Sequence, residues 1–144
     1  MSAVRKDLRH RARETALQIL YAWEIGHTDI DQAAQTFFTH QWVGDGPPDD
    51  VREFATELAR ETVSRLDTID PLIADTTERW RPERMAVLDR LILRMAVCEL
   101  LRKTGTAPAV IINEALELAR TFSTEDAVKF INGMLDGVRK KLEQ

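Results

Sequence analysis

Apolar residues recur every three or four positions along almost the whole chain, which is the spacing of amphipathic α-helices. The stripe of the first segment consists of Leu8, Ala12, Ala16, Ile19, Leu20 and Trp23. No segment alternates apolar and polar residues in the manner that predicts a β-strand. The 144 residues suffice for one domain with a substantial hydrophobic core. We therefore predict an all-α protein, a compact bundle of about six or seven helices, in which residues 1–144 form a single domain.

Glycines, prolines and capping residues divide the first half of the chain into helices. Gly26 predicts the end of the first helix, and Thr28 with Asp31 three residues later predicts a capping box at the next start. The segment 43–50 contains two glycines, two prolines and three aspartates, so it predicts the clearest break in the chain. A third helix is expected over 51–66, where apolar residues lie on one face.

Proline placement and apolar content organise the second half. Pro82 suits the first position of a helix, because the amide that proline lacks would have no partner there. The segment 85–101 is apolar nearly all round, which predicts a central helix contacted on several sides. Pro108 marks another helix start, and Ser123 with Asp126 predicts the cap of the last helix.

Two glycines lie one turn apart in this last predicted helix. Gly133 and Gly137 each lower its helix propensity. Either another helix approaches closely at these positions, or the helix frays towards its end.

The composition is that of a soluble globular protein, with 44% hydrophobic and 31% charged residues. No apolar run approaches the ~18 residues that suggest a membrane span, and no apolar core of a secretory signal follows the basic N-terminus. The single cysteine, Cys98, is compatible with a reducing compartment. We expect a cytoplasmic protein with no membrane partner.

Nothing in the sequence supports catalysis. Cys98 lies in an apolar run, where a buried and inert thiol is the default. The three histidines, His10, His27 and His40, are scattered without metal-ligand spacing, and there is no glycine-rich phosphate loop. Glu114 with Glu117 is a carboxylate pair at helical spacing, which more often marks a solvated face. The prediction is a non-enzyme with no metal and no cofactor.

Charge is distributed unevenly along the chain. Residues 1–13 carry a net charge of +4, which leaves −8 on the remainder, since the whole chain carries −4. A local basic site on an acidic body is typical of a protein that binds nucleic acid at one place. A basic tail without any partner is the plain alternative.

The polar side of the first helix carries residues that suit RNA. At about 100° per residue, Arg11, Glu14, Gln18 and Tyr21 fall in one sector away from the apolar stripe. An aromatic ring can stack on an unpaired base, arginines can neutralise phosphate, and glutamine can read a base edge. Alternatively, Tyr21 covers a neighbouring helix and the arginines pair with the acidic body.

The last helix offers a second patch. Lys129 and Phe130 follow a predicted cap, whose exposed amides favour an anion. Phe130 shares the helical register of Ile131 and Met134, so core packing is its first explanation.

Three stretches of the chain resemble the NusB family of bacterial transcription antitermination factors. They are RARETALQILYAWE at 11–24, LILRMAVCEL at 91–100, and 110–136. In the third stretch, INEALELA at 112–119 and KFINGMLD at 129–136 are specific as a set. The resemblance spans most of the chain and is vague only over about residues 25–80.

The resemblance implies an all-helical protein of two packed helical subdomains that binds the boxA element of single-stranded nascent RNA together with NusE, a ribosomal protein. That complex joins other Nus factors on RNA polymerase and suppresses premature termination, notably in ribosomal RNA operons. The RNA-binding positions implied by matching motifs are Arg9, His10, Arg11, Arg13, Tyr21, Lys129 and Phe130, with Asp126 at the edge of the site. Gln18 joins them from its place on the first helix.

Two departures limit this correspondence, and one is the acidic segment 43–50, which lies outside the matching motifs and has no assigned role. His10 stands where an unbroken arginine run is expected, so the segment is less basic at neutral pH. Central helices form the NusE surface in the family, which makes Glu83, Arg84 and Asp89 the expected partner contacts. Monomer and homodimer both stay open. The alternative function is a helical interaction or dimerisation module that has lost RNA binding.

Overall fold

The computed structural model describes the backbone of residues 2–41, 47–78 and 80–143, and the side chains of residues 8–40, 47–78 and 80–143. The seven α-helices of this part of the chain are α1 (Ser2–Gly26), α2 (Ile30–Thr36), α3 (Asp49–Ser64), α4 (Leu66–Thr76), α5 (Val87–Arg102), α6 (Pro108–Phe122) and α7 (Glu125–Leu142). A π-helical turn (Phe37–Gln41) and a 3-10 turn (Pro82–Arg84) complete the elements. No strand occurs in the described ranges, so the all-α prediction is confirmed.

The helices group into two compact units, Met1–Val63 and Ser64–Gln144. In the first unit, the middle of the apolar stripe of α1 is buried, with Ala16, Ile19 and Leu20 fully inaccessible to solvent, whereas Leu8 and Trp23 at its ends are half-buried. Helix α2 and the π-helical turn both contact α1. The exposed Arg60 of α3 binds Asp31 of α2 through two guanidinium nitrogens at 2.9 and 2.7 Å.

Three predicted boundaries in this unit were wrong. Asp29, not Thr28, caps α2, because its carboxylate accepts the amides of Asp31 and Gln32 at 2.9 and 3.3 Å. The predicted break at 43–50 ends too late, since Asp49 and Asp50 form the first turn of α3, where acidic side chains are favoured. The predicted third helix extends too far, because α3 ends at Ser64 and a new helix begins at Leu66. Residues 43–46 of the predicted break lie outside the described part of the chain.

Helix α5 is the centre of the second unit, as its apolar sequence predicted. It contacts α4, α6 and α7 and buries nine residues, from Leu91 to Leu100 with the exception of Arg94. The guanidinium of Arg94 donates to both carboxylate oxygens of Asp70 in α4, at 2.9 and 2.8 Å. A half-buried bidentate pair of this kind fixes the approach of the two helices.

Proline placement predicted one helix start correctly and one incorrectly. Pro108 is the first residue of α6, as expected. Pro82 instead opens the 3-10 turn, and the helix expected from residue 85 begins at Val87. Lys103 ends α5 in the left-handed conformation with φ 51°, and Gly105 follows with φ 92°. No helix in the described ranges is long and apolar enough to span a membrane.

Helix α7 is capped one residue later than predicted. Thr124 caps it, because its hydroxyl oxygen accepts the amide of Ala127 at 3.1 Å. The Ser123 hydroxyl donates instead to the Asp89 carboxylate of α5 at 2.5 Å. Since Ser123 and Thr124 can both cap a helix, only the tertiary contact to Asp89 separates their roles.

The two glycines of α7 differ in their surroundings. A Cβ at Gly137 would lie 2.6 Å from Cγ2 of Thr76 in α4, so close helix approach explains this glycine. A Cβ at Gly133 would have no described atom within 4 Å. The predicted close approach therefore holds at one position only.

Candidate nucleic-acid interface

One line of side chains along α1 faces solvent. Arg11, Gln18 and Tyr21 are exposed, and Tyr21 exposes 43% of its surface. Helical spacing of three and seven residues places them in the predicted sector. Ile25 continues this line one turn after Tyr21 and is 54% exposed. We call these four residues the α1 strip.

Sequence reasoning missed Ile25. It lies four residues beyond Tyr21 on the polar sector, and that spacing was the available signal. An exposed tyrosine and isoleucine on adjacent turns form an apolar surface to which a flat base can bind. Tyr21 makes no hydrogen bond or ring contact with any described residue.

His10 and Arg11, on the polar side of α1, both take part in contacts within the helix. His10 Nε2 lies 3.0 Å from Glu14 Oε1, so the histidine forms an ion pair when it is protonated. The main-chain oxygen of Arg11 accepts a hydrogen bond from the Thr15 hydroxyl at 2.8 Å, while the Arg11 side chain is exposed. The basic residues before Asp7 lie outside the described side chains.

The structure separates Arg9 and Arg13 from the α1 strip. The guanidinium carbon of Arg9 lies 4.5 Å from the centre of the Phe54 ring in α3, and that of Arg13 lies 5.3 Å from it. Arg9 is exposed, whereas Arg13 is only 3% exposed. Arg13 is thus placed beneath the surface rather than on it.

A second group of predicted residues lies on α7. Asp126 and Lys129 are exposed, and Phe130 is half-buried. We call these three residues the α7 patch. Lys129 and Phe130 border a concavity of ≈ 340 Å³. Its other lining residues are Thr76, Thr77, Gly133, Met134 and Gly137.

Phe130 is less buried than the two residues whose helical register it shares. Ile131 and Met134 are buried in the core, whereas Phe130 lies at the edge of the concavity. The packing of α4 against α7 creates this concavity, so Thr76 and Thr77 could not be identified as its walls from the sequence pattern.

The expected partner residues lie in the second unit. Glu83 and Arg84 are exposed in the 3-10 turn. Asp89 is half-buried and accepts the Ser123 hydroxyl. Its carboxylate is therefore engaged within the protein, while Glu83 and Arg84 present their side chains to solvent.

Several other charged side chains in the described ranges pair with one another. No group of three or more His, Cys, Asp or Glu residues there could hold a metal ion. Hydrogen bonds from Arg139 and then from Lys140 lower the pKa of Asp136, and the Asp136 carboxylate in turn raises the pKa of Arg139. Glu114 is 4% exposed, so the solvated face predicted for its carboxylate was wrong.

The fold and its two exposed patches define an all-helical protein with basic and aromatic side chains presented for binding. The pattern of the NusB family matches residues 10–140. The chain belongs to the NusB family.

Individual relatives agree with this assignment. The transcription antitermination protein NusB of Solibacter usitatus is 43% identical over 136 residues, which cover 94% of this chain and 91% of that protein. The protein of the same description from Nitratiruptor sp. is 40% identical over 135 residues, covering 94% of each.

Solved structures show the same fold. NusB from T. maritima has a TM-score of 0.81 and 31% identity, and the match covers 92% of this chain and 91% of that one. Antitermination factors NusB and NusE in complex with dsRNA give a TM-score of 0.81 at 24% identity, covering 94% and 98%. At that identity the second likeness concerns the fold.

Proposed function

We propose that this chain is an RNA-binding transcription antitermination factor that binds boxA-type single-stranded RNA together with NusE. It acts in the cytoplasm without catalysis, metal or cofactor, and residues 1–144 work as one RNA-binding domain. The observation that carries the proposal is the 43% exposure of Tyr21 in line with Arg11 and Gln18, on the first helix of a NusB family member.

Each side chain of the α1 strip has a distinct role in this proposal. The Tyr21 ring stacks on an unpaired base, and Ile25 widens the apolar surface beside it. Arg11 neutralises a phosphate, and the Gln18 amide hydrogen-bonds a base edge. Glu14 lies beside His10, so protonation of that histidine cancels the charge of the carboxylate and leaves the pair neutral rather than positive.

The α7 patch supplies a second contact. Lys129 binds phosphate as an exposed point charge, and Phe130 offers its ring beside the concavity. Asp126 stands three residues before Lys129 in the first turn of α7. Its carboxylate stabilises the helix N-terminus and restrains the affinity of the patch for an anion.

Arg13 contributes to RNA binding indirectly in this proposal. Its burial against Phe54 supports the ring and the position of α1 rather than a phosphate contact. Arg9 is exposed and can reach phosphate by leaving the same ring.

The need for NusE follows from the small number of cations. A few basic groups give only weak and salt-sensitive RNA binding, and the whole chain is acidic with a net charge of −4. A bound partner with its own RNA contacts raises the effective concentration and the specificity. The crystal structure of antitermination factors NusB and NusE in complex with dsRNA contains a chain with the same fold, and it supports such an assembly. We propose Glu83 and Arg84 as NusE contacts, while the Asp89 carboxylate is engaged by the Ser123 hydroxyl. RNA polymerase and other Nus factors are further partners in this proposal.

The test is fluorescence anisotropy with boxA RNA and a scrambled RNA of equal length, with and without NusE, at two salt concentrations. We expect selective binding to boxA that tightens with NusE and weakens with salt. The variants Arg11→Ala and Tyr21→Ala should each weaken this binding, and Gln35→Ala, at an exposed position of α2, is the control.

The opposite result identifies the alternative function. Equal and weak binding of both RNAs, unchanged by NusE and by either substitution, would mean that the fold serves as an interaction or dimerisation module. Sedimentation of the same samples reports whether the chain is a monomer or a homodimer.

A further inference from the structure

The ring of Phe54 in α3 makes cation–π contacts with two arginines. The guanidinium carbons of Arg9 and Arg13 lie 4.5 and 5.3 Å from the ring centre. Arg13 is buried at 3% exposure, whereas Arg9 is exposed. A cation–π contact at an exposed site is weak, so Arg9 is the displaceable member of the pair.

An open pocket lies beside this ring. Its volume is ≈ 370 Å³, and its lining residues are Leu8, Arg9, Ala12, Asp50, Val51 and Phe54. This size is within the range of about 300–1,000 Å³ that is usual for small-ligand sites. We call it the Phe54 pocket. All its lining residues belong to α1 and α3 of the first unit.

The lining suits a nucleobase. Four of the six lining residues are apolar or aromatic, so the flat ring of a base can stack against Phe54. Oδ1 of Asp50 accepts the Val51 amide at 3.0 Å, and the exposed carboxylate can also accept a hydrogen bond from the amino group of a base. The guanidinium of Arg9 can bind the phosphate of the same nucleotide.

A second phenylalanine of the same unit serves as a comparison. Arg52 lies 4.7 Å from the centre of the Phe38 ring, which repeats the arginine–phenylalanine pair. The groove there is lined by four carboxylates, Asp31, Glu53, Glu57 and Glu61, against the two arginines Arg52 and Arg60. This surplus of negative charge repels RNA, whereas the Phe54 ring has two arginines and one aspartate around it.

We propose that the Phe54 pocket binds one nucleobase of the bound RNA. The base stacks on Phe54 in place of Arg9, and the released guanidinium binds phosphate. Stacking of a base on an aromatic ring is stronger than an exposed cation–π contact, so the exchange is favourable. This inference rests on the proposed RNA-binding function and extends the contact from α1 to α3.

The test uses boxA RNA in which single adenines are replaced by the fluorescent base 2-aminopurine. Phe54→Leu keeps an apolar side chain but removes the flat ring, so we expect about tenfold weaker binding and loss of quenching at one RNA position. Phe54→Trp should retain both. Phe38→Leu is the matched control and should leave affinity and quenching unchanged.

A second measurement needs no substitution. NMR of the unaltered protein during RNA titration should show shifts of the Phe54 ring protons, with Phe38 as the internal reference. Selective boxA binding with unmoved Phe54 protons, or with full affinity and quenching in Phe54→Leu, overturns the pocket while the proposed function stands. An unaltered protein that binds no RNA overturns both.

Discussion

The α1 strip and the α7 patch each combine a basic and an aromatic side chain, but they differ in the helices that form them. The strip is carried by one helix, whose periodicity alone brings Arg11, Gln18 and Tyr21 into line. The patch borders a concavity that also needs Thr76 and Thr77, which lie at the C-terminal end of α4, the helix that packs on α7. The strip should therefore withstand changes in packing within the second unit, whereas the patch should depend on them.

The largest expected effect tests this dependence at Gly137. Gly137→Ala places a methyl group 2.6 Å from Thr76 Cγ2, and the Thr76 hydroxyl is held by its 2.9 Å bond to the Leu72 carbonyl oxygen. We expect the free energy of unfolding to fall by about 1–3 kcal/mol, as in other overpacked sites. Urea denaturation measures this loss.

Gly133→Ala is the matched control for that substitution. Its methyl group meets no described atom within 4 Å, so the gain in helix propensity should raise stability by up to about 1 kcal/mol. Equal stability of the two variants would contradict the close approach of α4 and α7 at Gly137.

The next effect concerns the α1 strip. Tyr21→Ala should weaken binding of boxA RNA by about 1–3 kcal/mol, since one stacked base loses its aromatic partner. Tyr21 is 43% exposed, so the free energy of unfolding should change little. Anisotropy and denaturation measure the two quantities. Tyr21→Phe keeps the ring and should bind as the unaltered protein does; an equal loss in that variant would assign the role to the hydroxyl group.

A smaller effect isolates the charge of the α7 patch. Lys129→Ala should reduce the slope of log affinity against log salt by about 0.7, the value for one phosphate contact on a single strand. Lys140→Ala is the control on the same helix, because the Lys140 ammonium lies 3.1 Å from the Asp136 carboxylate. Identical slopes for the two variants would show that Lys129 makes no phosphate contact.

The smallest expected effect is a gain. Asp126→Asn removes a negative charge beside Lys129 and should raise RNA affinity a few-fold at low salt. It should also cost about 0.3–1 kcal/mol of stability, because an acidic side chain in the first turn stabilises a helix. Glu125→Gln changes the same net charge one residue away. A gain of equal size in both variants would indicate net charge rather than a local position.

The sequence predicted which uncharged residues of the candidate site are exposed. It did not predict which of its arginines pack against other side chains. The exposure of Tyr21 and Gln18 was predictable, because both lie opposite a continuous apolar stripe. The burial of Arg13 was not, since arginine is usually exposed and its partner Phe54 is distant in the chain.

Helix caps show the same limit at short range. Thr28 and Asp29 are both good capping residues, as are Ser123 and Thr124. The observed caps, Asp29 and Thr124, differ from the predicted ones by one residue. Neighbouring residues with equal propensity are separated only by the contacts that the rest of the fold offers them.

The sequence by itself determined the all-α class, the central helix α5, the basic N-terminal segment and the NusB resemblance. These follow from local periodicity, charge and motif, which are written along the chain. Only the tertiary structure decided that the guanidinium groups of Arg9 and Arg13 lie on the Phe54 ring, and that Thr76 packs closely against Gly137. It also decided that Phe130 borders a concavity. Each of these depends on residues far apart in sequence, whose meeting is decided by the packing of whole helices.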